Sequence, residues 1–326
     1  MFYRLCIALC LAVMFMVYAA ATLFSIPTIK LGRVALKTAR PQTRATLWFL
    51  FRLAPVALAA MVSLGLALPS FLELEPHSTG EMMSWRLLAL AGLGAAVLAA
   101  IIGRVARLLS TTWALERRWI TQSQKLRLAD VPCPVYSVSD ASSLLAVTGI
   151  FRPRVFVSRD VAEALTGEEL SAALAHELAH VRRFDNLKQL LLKSTQMPLR
   201  AFRGADAEWT NASEIAADES AVTRGASPLE LSSALVKVGR LSGTMLAPQR
   251  LAASHLVPCG CGSATRMRAA HLRALLENEP WPATSAGDSG GLGGKALAAV
   301  CFVLMYFASV TTLLPAVHEA LEFLVR

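Results

Sequence analysis

Two histidines four residues apart, His176 and His180, flank a glutamate in His176-Glu-Leu-Ala-His180. On a helix this spacing sets both imidazoles on one face, one turn apart, where both reach a single ion. Glu177 lies three residues before His180 and faces the same cleft, placed to take a proton from a metal-activated water rather than to bind metal. A catalytic zinc site keeps three protein ligands and one open position, so a third ligand has to come from elsewhere. With only 6 His in the chain, coincidence is expected in roughly one chain per hundred or fewer. A structural zinc centre is the weaker reading, because no Cys pair lies nearby and Glu177 would have no role in one.

The longer pattern, with a glycine and a third histidine after the motif, fails: Arg183 and Asn186 occupy those positions. A carboxylate is therefore favoured, and Asp185, Asp206, Glu208, Glu214, Asp218 and Glu219 all follow downstream. In Ser213-Glu-Ile-Ala-Ala-Asp218, Glu214 and Asp218 share one helical face with small alanines between them, which allows close approach to the first helix. Glu214 is the expected ligand and Asp218 its supporting partner; the competing reading is a solvated acidic face. Asp185 either orients a ligand imidazole or pairs with Arg182 or Arg183, and spacing does not separate the two. Cys259-Gly-Cys261 and His255 lack the second pair that a four-ligand site needs. His77, His271 and His318 read as surface or interfacial residues.

Thr166-Gly-Glu-Glu169 has the form of a capping box, opening a helix that runs to about Met197 before Pro198 and would hold these groups. The motif lies in its middle. Upstream, Pro132 and Pro134 precede strand-like runs at Val135 to Val138, Leu144 to Thr148 and, after Gly149 and Pro153, Val155 to Val157, which predict a small sheet. A helix is expected before Gly225, another after Pro228, and a short basic one over Arg266 to Glu277.

The frame around this segment is apolar. Of 326 residues 55% are hydrophobic and 17% charged, far from a soluble composition. Four runs read as membrane spans: Leu5 to Phe24, Ala45 to Leu72, Leu87 to Gly103 and Ala296 to Pro315. The first is long for a signal peptide, and cleavage would leave a basic loop outside. Arg52, near the start of the second, is expected to snorkel to the headgroups. The net charge of +9 is not arranged as a nucleic-acid motif; it lies in loops, which sets topology. Lys30, Arg33, Lys37, Arg40 and Arg44 make the first loop basic, whereas the second carries Glu73, Glu75 and Glu81 with no Lys or Arg. A basic helix over Arg104 to Leu128 leaves the third span. These charges predict an inner-membrane protein with the N-terminus and short C-terminal tail outside and the intervening domain in the cytoplasm. The expected divisions are 1–103 for three spans, 104–279 for the soluble domain, 280–295 for a Pro/Gly/Ser-rich linker and 296–326 for the fourth span and tail. Six scattered cysteines, Cys6, Cys10, Cys133, Cys259, Cys261 and Cys301, are not a disulfide framework.

Several stretches together resemble the integral-membrane zinc metallopeptidases of the BlaR/MecR antirepressor type, distant relatives of the prenyl-protein and heat-shock membrane endopeptidases. They are Gly149-Ile-Phe-Arg-Pro-Arg-Val-Phe-Val157, Leu165-Thr-Gly-Glu-Glu-Leu170, His176 through Leu187, and the Glu214 to Asp218 element. The resemblance implies His176, His180 and Glu214 as zinc ligands, Glu177 as general base and a gluzincin-like α+β domain in a multi-pass α-helical membrane protein. It also implies an extended substrate added to an exposed strand edge, a role falling on Leu144, Leu145, Ala146, Val147 and Thr148. Family members cleave a cytoplasmic transcriptional repressor, sometimes after self-cleavage, so a protein substrate and the lipid bilayer are the expected partners, with no direct nucleic acid. The antibiotic-sensing members add a penicillin-binding sensor after the fourth span, and up to Arg326 there is no counterpart. Two alternatives stand beside the endopeptidase: a non-catalytic signalling scaffold, which would be expected to have lost Glu177 or a ligand, and a zinc hydrolase acting on a lipid amide.

Overall fold

The computed structural model describes residues 2–75, 84–126, 132–139, 145–197, 199–242, 254–255, 262–277 and 319. The fourth run, the linker, Cys259, Cys261 and Leu144 fall outside them. Contacts divide the chain into one unit of residues 1–35, 50–102 and 284–326, and another of 36–49 and 103–283.

In the first unit, α1 (Phe2–Ala35), α2 (Pro41–Val62) and α4 (Trp85–Thr121) contribute the long apolar stretches. Three helices, Phe2–Ala35, Pro41–Leu74 and Trp85–Thr121, are long and apolar enough to cross a membrane. Lys30 and Arg33, expected in a loop, continue the first helix to Ala35. The second run is not one regular helix: a π turn at Ser63–Ala67 leads into α3 (Leu68–Leu74), and Ser63 Oγ donates to the Cys10 carbonyl at 2.7 Å. That extra hydrogen bond gives the wider turn a partner on α1. Arg52 does not reach outward; it is buried. At Gly94 a Cβ would collide with the Leu11 carbonyl, so glycine there lets α4 and α1 touch backbone to backbone.

The second unit is built on a five-stranded mixed sheet, ordered β1-β2-β4-β3-β5. Its strands are β1 (Ser123–Leu126), β2 (Val135–Val138), β3 (Leu145–Thr148), β4 (Arg154–Ser158) and β5 (Ser254–His255). The basic helix expected to reach Leu128 ends at Thr121, because the next residues pair antiparallel with β2. Alternation along β4 then feeds two cores. Val155 and Val157 face a cluster with α5 (Arg159–Ala164), α6 (Gly167–Arg182), α9 (Pro228–Ser242) and α10 (Gly262–Glu277). Phe156 faces the other way, against Trp119 of α4, with ring centroids 5.2 Å apart.

The helix expected to run from Thr166 to about Met197 is two helices. Its start is as read: Thr166 Oγ1 accepts from the Glu169 amide, and Glu169 accepts from the Thr166 amide at 2.8 Å. The break falls at Phe184, whose φ of 54° is left-handed, and α7 (Asp185–Ser194) departs from there. α8 (Arg200–Val222) then returns alongside α6 and ends before Gly225, itself at φ 98°.

Candidate metal centre

The imidazoles of His176 and His180 are buried on α6 with their Nε2 atoms 3.1 Å apart. Each ring is held from behind. Asp218 of α8 lies 2.8 Å from His176 Nδ1, and Asp185, first residue of α7, lies 2.8 Å from His180 Nδ1. A ring donating Nδ1–H to a carboxylate presents its Nε2 lone pair outward, so the two carboxylates fix both tautomers for joint ligation. The chain reversal at Phe184 is what brings Asp185 under the helix it has just left.

Glu214 of α8 completes the set, with oxygens 3.6 Å from His176 Nε2 and 3.7 Å from His180 Nε2. Among the described residues these three can offer ligand atoms all within 4.8 Å of one another. Tetrahedral zinc with bonds of about 2.0–2.1 Å requires ligand atoms about 3.3 Å apart, close to the three separations found. Two imidazoles and one carboxylate are also a donor set suited to zinc. The residues therefore fit a tetrahedral divalent metal with one position left open. Glu177 is fully buried on the same helix.

Asp185 does both things its sequence position allowed. It faces His180 and also lies 3.6 Å from Arg183 Nε and 3.2 Å from Lys188 Nζ. Glu208 pairs instead with Arg44, and Glu219 with His271. Ala146 and Val147 of β3 are not a bare edge: β4 pairs along one side, and His255 and Ser254 pair at those two residues on the other. The expected open edge is occupied there because β5 supplies its backbone partners.

The residue that sequence reasoning missed is Arg268 of α10. It is buried, donates to both Asp218 oxygens at 2.7 and 2.8 Å, and sets Nη1 2.9 Å from Glu214 Oε2. Its Nη2 also lies 3.4 Å from the His176 ring nitrogens. The available signal was charge balance, since buried Glu177, Asp185, Glu214 and Asp218 need a cation.

The electrostatics follow from this cluster. Burial opposes ionisation of Asp218, Glu214 and Asp185, yet each carboxyl is held below its ordinary range, the first two chiefly by Arg268 and the third by His180. Burial and Arg268 oppose a charge on His176, but Asp218 and Glu214 outweigh both and favour its protonated form. Burial also opposes the Arg268 charge, and Asp218 and Glu214 overcome it. The carboxylates of the metal-free cluster thus favour positive charge at His176, carried by a proton there or, once that proton leaves, by a dication on the ring nitrogens.

A family model described as BlaR1 peptidase M56 matches residues 83–247, just over half of the 326. The chain is also similar to the Protease HtpX homolog of Albidiferax ferrireducens, 25% identical over 162 residues, which are 46% of this chain and 55% of that protein. The Protease HtpX homolog of Polaromonas naphthalenivorans is 26% identical over the same shares. That of Chlorobium phaeobacteroides is 24% identical over 46% of this chain and 52% of its own. The chain spans about half the length of these curated relatives.

Proposed function

Because the chain belongs to the BlaR1 peptidase M56 family, we propose that it is a zinc-dependent endopeptidase of the inner membrane, with four spans and its catalytic domain in the cytoplasm. The observation carrying this is the pair of Nε2 atoms 3.1 Å apart, each backed by a carboxylate on Nδ1, with Glu214 closing the triangle.

His176, His180 and Glu214 would hold zinc, which when bound supplies Lewis acidity and makes water a stronger acid. Glu177, buried beside both histidines, accepts the proton of the attacking water and returns it to the leaving amine. Asp218 and Asp185 keep the imidazoles in one tautomer and one orientation through the cycle. Arg268 offsets the charge of the ligand Glu214 and of Asp218 behind His176, which lets these carboxylates stay ionised in a buried site. The substrate class we propose is a cytoplasmic regulatory protein of repressor type, or a segment of the chain itself, as the resemblance to antirepressor peptidases implies.

Glu177→Gln tests the assignment. The variant is expected to keep its metal, measured by elemental analysis of the purified protein, while peptide-bond cleavage in cells, read by comparing proteomes with the wild type, falls by at least about a hundredfold. Cleavage at the wild-type rate by the variant would remove Glu177 from the mechanism.

A further inference from the structure

Away from the histidines, the second unit contains a cavity of about 700 Å³ lined by the later part of α4, the turn joining β3 to β4, and α7. That size is within the range of small-molecule sites. Its wall is chiefly apolar, from Leu109 and Ile120 of α4, Ile150 of the turn, and Leu187 and Leu190 of α7. Trp113 and Phe151 also line it while remaining 59% and 86% exposed. Large aromatic rings left this open beside an apolar cavity are costly in water and suited to a bilayer interface.

The charged lining has a definite sign. Glu116, buried, is paired with Arg154 at 2.6 Å and accepts from Thr148 Oγ1 at 3.4 Å. That pair balances itself, which leaves Arg117 and Arg152, both exposed, as a net positive charge on the lining. The cavity therefore combines an apolar wall with two cations at accessible positions. An extended peptide would bring a main chain whose amides and carbonyls this wall does not satisfy, whereas a hydrocarbon chain brings none. The helix that supplies half the lining is also the one that carries the apolar stretch after Trp85, with Arg104 and Arg107 in between. Basic residues following an apolar span attract anionic lipid.

We propose that this cavity is a lipid site, taking an acyl chain of an anionic phospholipid whose phosphate meets Arg117 and Arg152. The site shares α7 with the metal centre. Asp185 holds His180, Asn186 donates to the carbonyls of Val147 and Gly149 at 3.2 and 3.0 Å, and Leu187 lines the cavity. The proposal does not depend on peptidase activity.

The test uses the full chain in nanodiscs of phosphatidylcholine containing a minor fraction of phosphatidylglycerol with a photoreactive group on one acyl chain, with adducts mapped by peptide mass spectrometry. Adducts are expected on residues 109–120 and 150–152, beside those on the spans, and unlabelled phosphatidylglycerol should compete with them. Leu187→Trp, which narrows the cavity at the α7 wall, and the double variant Arg117→Ser/Arg152→Ser, which leaves its wall intact, should each lower the cavity adducts several-fold with span adducts unchanged. Glu177→Gln protein should label like the wild type, which separates this proposal from the peptidase reading. Adducts confined to the spans, equal labelling by photoreactive phosphatidylcholine, or no loss in the double variant would overturn the proposal. So would labelling by a photoreactive free fatty acid in place of the phospholipid, or displacement by an apolar peptide but not by lipid.

Discussion

At the scale of single residues, Arg268 decides how the centre tolerates its own acidity. Four carboxylates and two imidazoles meet in a buried space, and the guanidinium lies within 2.9 Å of two of those carboxylates, Glu214 and Asp218. Removing one partner of a buried ion pair leaves an uncompensated charge and costs about 3–5 kcal/mol. Arg268→Met keeps much of the apolar volume and removes the charge, so its thermal midpoint in chelator should fall well below the wild type. Added zinc should restore much of the difference, because a dication on His176, His180 and Glu214 supplies the missing positive charge. Equal losses with and without zinc, followed by fluorescence or calorimetry, would show that Arg268 acts by packing alone. The motif residues were legible in the sequence because a single helical turn sets their spacing. Arg268 was not: it stands 50 residues beyond Asp218, and only the return of α10 against α8 and α9 brings them together.

At the scale of elements, the start of α6 was legible and its end was not. The capping box is a local device, written in Thr166 and Glu169 three residues apart. The break at Phe184 has no such signature, since a left-handed phenylalanine carries none of the glycine or asparagine that marks one. Likewise β2 and β4 showed themselves by β-branched runs, while β1 is Ser-Gln-Lys-Leu and owes its extended form to pairing with β2. The cap does more than begin the helix. Burial works against the Glu169 charge, but Lys237 at 2.7 Å, Ser233 at 2.5 Å and the Thr166 amide overcome it and hold the carboxyl at about 2, below its ordinary 4.5. A carboxyl with a depressed folded value adds stability that is complete above about 4.5 and is lost as the pH falls toward about 2. Glu169→Gln should therefore lower the thermal midpoint at pH 7 and flatten its decline between those two values. Thr166→Ala should cost about 1 kcal/mol at neutral pH and leave the acid decline in place. Parallel acid profiles for wild type and Glu169→Gln would show that the Lys237 pair contributes nothing.

At the scale of the whole molecule, the distribution of charge makes the prediction. Lys37, Arg40 and Arg44 follow the first long helix, Glu73 and Glu75 end the second, and Arg104, Arg107, Arg117 and Arg118 lie along the later half of the third. Lys and Arg in short loops stay on the cytoplasmic side, whereas Asp and Glu contribute little to orientation. The first loop and the domain that follows the third helix should therefore lie on the cytoplasmic side, and Glu75 should lie opposite. Three crossings bring the chain to that side only from an N-terminus on the opposite one, so the same prediction puts the N-terminus outside. An alkaline phosphatase fused after Glu75 should be active and one fused after Arg224 inactive, with a fluorescent protein giving the reverse pattern. The opposite pattern would place the His176 centre outside and remove cytoplasmic proteins from its substrates. Because orientation is set by basic residues, Lys37→Gln/Arg40→Gln/Arg44→Gln should weaken it, and a mixed population of both reporters is the expected readout. An unmixed wild-type pattern in that variant would shift the burden to the basic residues of α4, which also flank the proposed lipid cavity.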